Sequence, residues 1–207
     1  TQIQKQNVPK LRFPEFEGDW GQVSIQKLVD AGALYKPIDG NHGNIHPKAS
    51  DYVEDGIPFL MASDIKKSKI DFVNCKKISC DQAESLQKGF AREGDILLSH
   101  KATIGELAIV PRVPWPYVML TPQLTYYRVK NSDLLERGFL FQVFSRDNFI
   151  ESMKANAGGA GGVRLYIGIT EQRKLQLSLP SLPEQQKIAS FLSSVDKKID
   201  LLRQKKD

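Results

Sequence analysis

SLPEQQKIASFLSSVDKKIDLLRQKK, Ser181 to Lys206, is the stretch whose reading decides the architecture of this chain. Ile188, Phe191, Leu192, Val195, Ile199 and Leu202 recur at steps of three and four, the spacing that gathers side chains on one face of an α-helix. Ser181 followed by Glu184 has the form of a capping box, and Pro183 falls in the first turn, where its missing N–H costs nothing. Lys197, Lys198, Arg203, Lys205 and Lys206 crowd the far end, where cations suit the helix dipole. The spacing therefore predicts a helix of about 24 residues, roughly 36 Å long at 1.5 Å per residue. Its apolar stripe has no following element to cover it. The pattern admits packing against its own domain and packing against another helix equally, because heptad spacing is also ordinary core spacing.

Working outward, the 207 residues, 41% of them hydrophobic and 9% aromatic, suffice for one good-sized core with a small appendage. We expect one domain, residues 1–180, and a helical arm, residues 181–207. Twenty-nine Lys and Arg against 24 Asp and Glu give a net charge of +5, compatible with a polyanionic partner and shared by many unrelated proteins. Cys75 and Cys80 are too few for a disulfide framework. Without a secretory signal or an apolar run of spanning length, the sequence predicts a soluble, cytoplasmic protein that meets no membrane.

Along the chain, Thr1–Lys10 is polar, and LRFPEFEGDW predicts an aromatic clasp against the body. Residues 35–58 are rich in Gly, Pro, Asn and Asp, which predicts a long loop, and long ordered loops tend to be functional. IPFLMASDI, residues 57–65, predicts a buried strand, with Lys66, Lys67 and Lys69 after it. A short helix fits residues 80–88, capped by Ser79 with Gln82 three along and stopped by Gly89. GDILLSHKATIGELAIVP, residues 94–111, predicts two strands around a polar turn, and TPQLTYYRVK, residues 121–130, a third. Ser132–Ala155 predicts helix with a break near Ser145 to Asp147, AGGAGG a flexible loop, and KLQLSLP the last strand.

The chemical motifs are few. Gly158, Gly159, Gly161 and Gly162 lie after a helix and before a strand, the reverse of a dinucleotide fingerprint, and no glycine precedes a lysine as a P-loop needs. His42, His46 and His100 lack carboxylate or thiol neighbours at ligand spacing, so no metal is expected. PWPY, residues 114–117, departs at two positions from the Asn-Pro-Pro-Tyr motif of amino-methyltransferases and reads better as a turn. No nucleophile–base or paired-carboxylate arrangement stands out, so no catalytic residue and no cofactor is expected. What remains is polar side chains on loops: Asn41, His42, Asn44, His46 and Lys48; Ser99, His100, Lys101 and Thr103; and Arg164 with Tyr166. These types hydrogen-bond base edges and phosphates, and a glycine-rich neighbour lets a loop approach a duplex. The alternative is a set of solvated turns.

Several blocks together resemble one family, the DNA-specificity subunits of type I restriction-modification systems. They are PKLRFPEFEGDW, DGNHGNIHPKASDYVEDGIPFLMASDI, EGDILLSHKATIGELAIVP, TPQL and LPSLPEQQKIASFLSSVDKKIDLLRQKK, in the family's order. The resemblance implies an α+β fold: a β-rich target-recognition domain with small helices, then a long coiled-coil-type helix. It also implies a non-catalytic reader of half of a split target in double-stranded DNA. The expected partners are methyltransferase (modification) subunits, the restriction/translocase subunit, and a second copy or another recognition half. Dimerisation would use Ile188, Phe191, Leu192, Val195, Ile199 and Leu202. Typical members carry two such domains and two such helices, so the resemblance implies a half-subunit. Two rivals remain from the residues alone, a small DNA methyltransferase or nuclease and a protein-interaction module that never touches DNA.

Overall fold

The computed structural model describes residues 9–158 and 165–205, apart from the side chain of Asn44. In chain order the elements are β1 (Gly21–Ser24), α1 (Ile25–Asp30), β2 (Ile38–Asp39), β3 (Tyr52–Leu60), β4 (Ile65–Lys66), β5 (Lys69–Ile70), β6 (Lys76–Ile78), α2 (Cys80–Ser85), β7 (Phe90–Ala91), β8 (Ile96–Ser99), β9 (Leu107–Ile109), β10 (Val118–Leu120), β11 (Leu124–Tyr127), α3 (Arg137–Phe144), α4 (Asp147–Ala155), α5 (Ile169–Gln172), β12 (Gln176–Leu179) and α6 (Leu182–Gln204). Short 3-10 turns occupy Gly43–Ile45, Ala49–Asp51 and Ala62–Asp64. The architecture is α+β with one long terminal helix, as the resemblance implies.

Two four-stranded sheets, ordered β6-β3-β10-β7 and β2-β11-β8-β9, form the body. Along β8 the side chains alternate between two cores. Ile96 and Leu98 join the cluster of Trp20, Phe139 and Phe144 on the helix side, whereas Leu97 joins Leu60, Val118 and Leu120 between the sheets. Both faces of β8 are therefore dry, which is why ILLS reads as an unbroken apolar run rather than an alternation. A third cluster, Ile57, Phe59, Ile78 and Met119, lies beneath α2. The predicted break separates α3 from α4 at Ser145 and Arg146, with the Ser145 Oγ donating to the Phe141 carbonyl at 2.9 Å.

Residues 35–58 are more ordered than a loop, because β3 begins at Tyr52 and pairs with β6. β1 and α1 carry little local sequence signal; the N-cap of α1, Ser24, accepts from the Lys27 N–H at 3.1 Å. β1 pairs antiparallel with β12, so the two ends of the domain close on each other.

At the start of α6 the capping box does not form. Ser181 is the N-cap residue without a side-chain cap hydrogen bond, and Glu184 is buried and turned away from it. Both Glu184 oxygens accept from Arg12, at 2.7 Å each, and Trp20 Nε1 donates to the same carboxylate at 3.2 Å. A buried carboxylate needs charged and hydrogen-bonding partners more than an exposed helix start needs a cap, so the clasp takes the side chain. Beside it Gln185 accepts from the Glu136 N–H at 2.9 Å and donates to the Pro180 carbonyl at 3.0 Å. No helix among the described residues is long and apolar enough to cross a membrane.

Candidate nucleic-acid interface

The polar segments converge because several strands stop at one edge. β3 and β10 run parallel and end together at Leu60 and Leu120, while β8 ends at Ser99 opposite the start of β11 at Leu124. The segments between them are stitched by backbone hydrogen bonds: Thr121 N–H to Leu60 O at 2.9 Å, His100 N–H to Gln123 O at 2.9 Å, and Ile167 N–H to His100 O at 3.0 Å. Gly40 passes so close to Leu120 and Thr121 that any Cβ there would lie 2.0 Å from the Leu120 carbonyl oxygen. Only glycine permits that approach, which brings the segment after β2 onto this rim.

Of the polar residues singled out in the sequence, some build the rim and others face outward. Asn41 is buried, its amide donating to Lys88 O and its oxygen accepting from Gln87 N at 3.1 Å. Ser99 is buried, its Oγ accepting from Glu106 N at 2.7 Å across the β8–β9 turn. His100 is buried and its Nδ1 donates to the Ile167 carbonyl at 3.0 Å. A carbonyl only accepts, so in the neutral ring Nε2 carries the lone pair, and it has no partner among the described residues. Burial holds this imidazole below its ordinary pKa, against the hydrogen bond to Ile167. The expectation that Asn41, Ser99 and His100 are displayed on loops thus fails for a shared reason. Loops that converge this tightly must satisfy their own backbone groups, and short polar side chains do that work.

His42, Lys48, Thr103 and Tyr166 are exposed, and Lys101 is half-buried. His42 Nε2 pairs with Asp39 Oδ2 at 2.7 Å, and Lys88 reaches the other oxygen of Asp39. Burial alone would raise the Asp39 carboxyl, but hydrogen bonds from His42 and Lys88 outweigh it and hold the group below the usual carboxylate range. His46 is half-buried and packs its ring against Phe59, centroids 5.4 Å apart. Asn44 lies in a 3-10 turn, and its side chain is outside the described set. Lys101 and Tyr166 form a bridge, and Tyr166 also exchanges backbone hydrogen bonds with Gly158 at 2.9 and 3.2 Å. Arg164 and most of the glycine loop lie outside the described residues, yet both anchors of that loop, Gly158 and Tyr166, sit on the rim. Asp39, Lys88 and Gln123 also belong to the rim: Asp39 and Gln123 fall in the blocks DGNHGNIH and TPQL that carry the resemblance, but their contacts are long-range, and Lys88 stands in no motif.

The predicted seam of α6 divides in two. Ile188 packs on the helix-side core and Leu192 is half-buried. Phe191, Val195, Ile199 and Leu202 expose 52%, 37%, 40% and 54% of their surface; Phe191 meets Phe13 edge-on at 5.6 Å between centroids, and from Val195 onward the stripe faces solvent.

A family model described as the type I restriction modification DNA specificity domain matches residues 34–207. The type I restriction enzyme MjaVIII specificity subunit of Methanocaldococcus jannaschii is 23% identical over 96% of this chain and 44% of its own length. The HsdS subunit of Thermoanaerobacter tengcongensis superposes with a TM-score of 0.63 at 19% identity, over 97% of this chain and 42% of that one. The S subunit of a type I restriction-modification system from M. genitalium gives 0.64 at 15% identity, over 95% and 44%. The chain spans less than half the length of these relatives. With its two-sheet body, its rim of converging loops and its terminal helix all falling within the region matched, the chain belongs to the family of type I restriction-modification DNA specificity domains.

Proposed function

We propose that this chain is the sequence-reading part of a type I restriction-modification specificity subunit, binding double-stranded DNA through the rim. The observation that carries the reading is the division of labour there. Asn41, Ser99 and His100 hold the loops in place from behind, while His42, Thr103 and Tyr166 are left exposed with Lys101 half-buried beside them. Rigidly held polar and cationic groups are what base and phosphate contacts require. Functionally the chain divides into a recognition domain, 1–180, and a pairing helix, 181–207, which holds a second recognition half and docks modification methyltransferase subunits. The restriction/translocase subunit joins through that assembly. The chain itself performs no catalytic step and takes no cofactor or metal.

The test is duplex binding by wild type and by Lys101→Ala and Arg164→Ala as salt is varied. A phosphate contact from Lys101 weakens all sequences alike and flattens the salt slope by about one unit. A base contact from Arg164 costs about 1–3 kcal/mol and relaxes preference at one position. Wild-type binding with no salt dependence would overturn the reading. Incubation with S-adenosylmethionine and DNA, with methyl incorporation by the chain alone, would overturn its non-catalytic part.

A further inference from the structure

We infer that the β4–β5 hairpin, Ile65 to Ile70, is a sequence-independent DNA-backbone contact that acts beside the rim; the inference rests on the DNA-reading proposal above. The hairpin leaves the same strand end as the rim loops. Ala62, just after β3, donates its N–H to Gln123 Oε1 at 3.2 Å, and the Gln123 carbonyl accepts from His100 on the rim. The segment is rigidly based, because Ile65 is buried in the core between the sheets and Ile70 packs against it. Its two-residue turn is Lys67–Ser68, with φ of +50° and +60°. Turns of that shape favour Asn-Gly, since only glycine takes left-handed angles without strain. A lysine held there against its backbone preference marks a position where the side chain is wanted more than the relaxed turn.

Charge points the same way. Lys66, Lys67 and Lys69 all project from this one turn into solvent. Lys69 is drawn to Asp200 of α6 at 2.7 Å, and Lys66 lies 4.0 Å from Asp71. Lys67, at the apex, makes no ion pair among the described residues. An unpaired ammonium on a stiff support beside loops that read bases suits a phosphodiester oxygen. A lysine meets such an oxygen as a point charge and carries no sequence information.

The experiment measures duplex affinity against salt for wild type, Lys67→Gly, and Lys66→Gln with Lys67→Gly, on a specific and a scrambled duplex. Lys67→Gly removes the charge and relieves the turn, so the protein keeps or raises its melting temperature and lost binding cannot be put down to misfolding. The salt slope should fall by about one unit in the single variant and about two in the double variant, by equal amounts on both duplexes. Lys27→Gln, on α1, removes the same charge elsewhere and should leave the slope unchanged. Wild-type slope in the double variant overturns the hairpin contact and leaves the rim reading standing; a loss confined to the specific duplex overturns its sequence independence. Wild type that binds neither duplex at low salt overturns the DNA reading and the hairpin contact together.

Discussion

The two halves of α6 share one helix and one apolar stripe, yet they meet different surroundings. From Leu182 to Ala189 the helix is part of the body: Glu184 is clasped by Arg12 and Trp20, Gln185 accepts from the Glu136 N–H and donates to the Pro180 carbonyl, and Ala189 lies against α3 beside Gly138. Beyond Ser190 it is held by the edge-on contact of Phe191 with Phe13, centroids 5.6 Å apart, and by two polar bridges, Asp196 to Gln142 at 3.1 Å and Asp200 to Lys69 at 2.7 Å, while Val195, Ile199, Leu201 and Leu202 stay exposed. The same three-and-four spacing thus serves a core and a bare surface. Periodicity states that a stripe exists, and burial of the polar residues beside it states where the stripe is covered.

The largest effect expected from this contrast is at Ala189. Ala189→Asp places an unpaired charge between α6 and α3 and should cost about 3–5 kcal/mol of stability, read as a shifted denaturant midpoint. A midpoint within about 0.5 kcal/mol of wild type would erase the distinction between the halves. Val195→Asp is the counterpart in the outer half. It should leave the midpoint within about 0.5 kcal/mol, as surface substitutions do, and abolish the self-association or partner binding seen by light scattering. Destabilisation by Val195→Asp, with unchanged mass, would mean the outer half packs inward after all.

Acid should separate the body from the helix more gently. A buried imidazole with a lowered pKa stabilises the fold in its neutral form. Its contribution is complete above the unfolded value near 6.5 and is lost as pH falls below that toward the folded value. The body should therefore lose stability as pH falls below about 6.5, and His100→Asn should flatten that loss. α6 carries no histidine, so association through its outer seam should persist over the same range. The smallest effect belongs to the exposed Lys69–Asp200 bridge. Asp200→Asn should leave the melting temperature unchanged, because exposed pairs are screened and entropically costly. A clear loss would show that the polar bridges hold the outer half as firmly as the clasp holds the inner one.

The same contrast explains what the sequence disclosed. β8, β9, β11 and the broken helix α3–α4 were legible because each is long or apolar enough for its period to outweigh local noise. β1 and α1 were not, since GQVSIQKLVD is short and mixed and is fixed by pairing with β12 at the other end of the domain. Glu184 was misread because capping spacing and a long-range ion pair look identical in one dimension. At the rim, residue type was a fair guide to location but not to role. Asn41, Ser99 and His100 lie on the rim as its buried scaffold rather than on display, whereas Lys88, which pairs with Asp39 behind His42, carries no local signal.

The central claim, that the rim reads DNA while the outer half of α6 holds a second reader at a fixed distance, has one direct test. Bound duplexes are selected from a random pool in the presence of the chain and its partner subunits, and sequenced. At 1.5 Å per residue the 23-residue helix is about 35 Å long, close to the separation of half-sites one DNA turn apart. Two short conserved blocks separated by an indifferent spacer are expected, forming an inverted repeat when the second reader is another copy of this chain. A single continuous motif, or no enrichment at all, would contradict it.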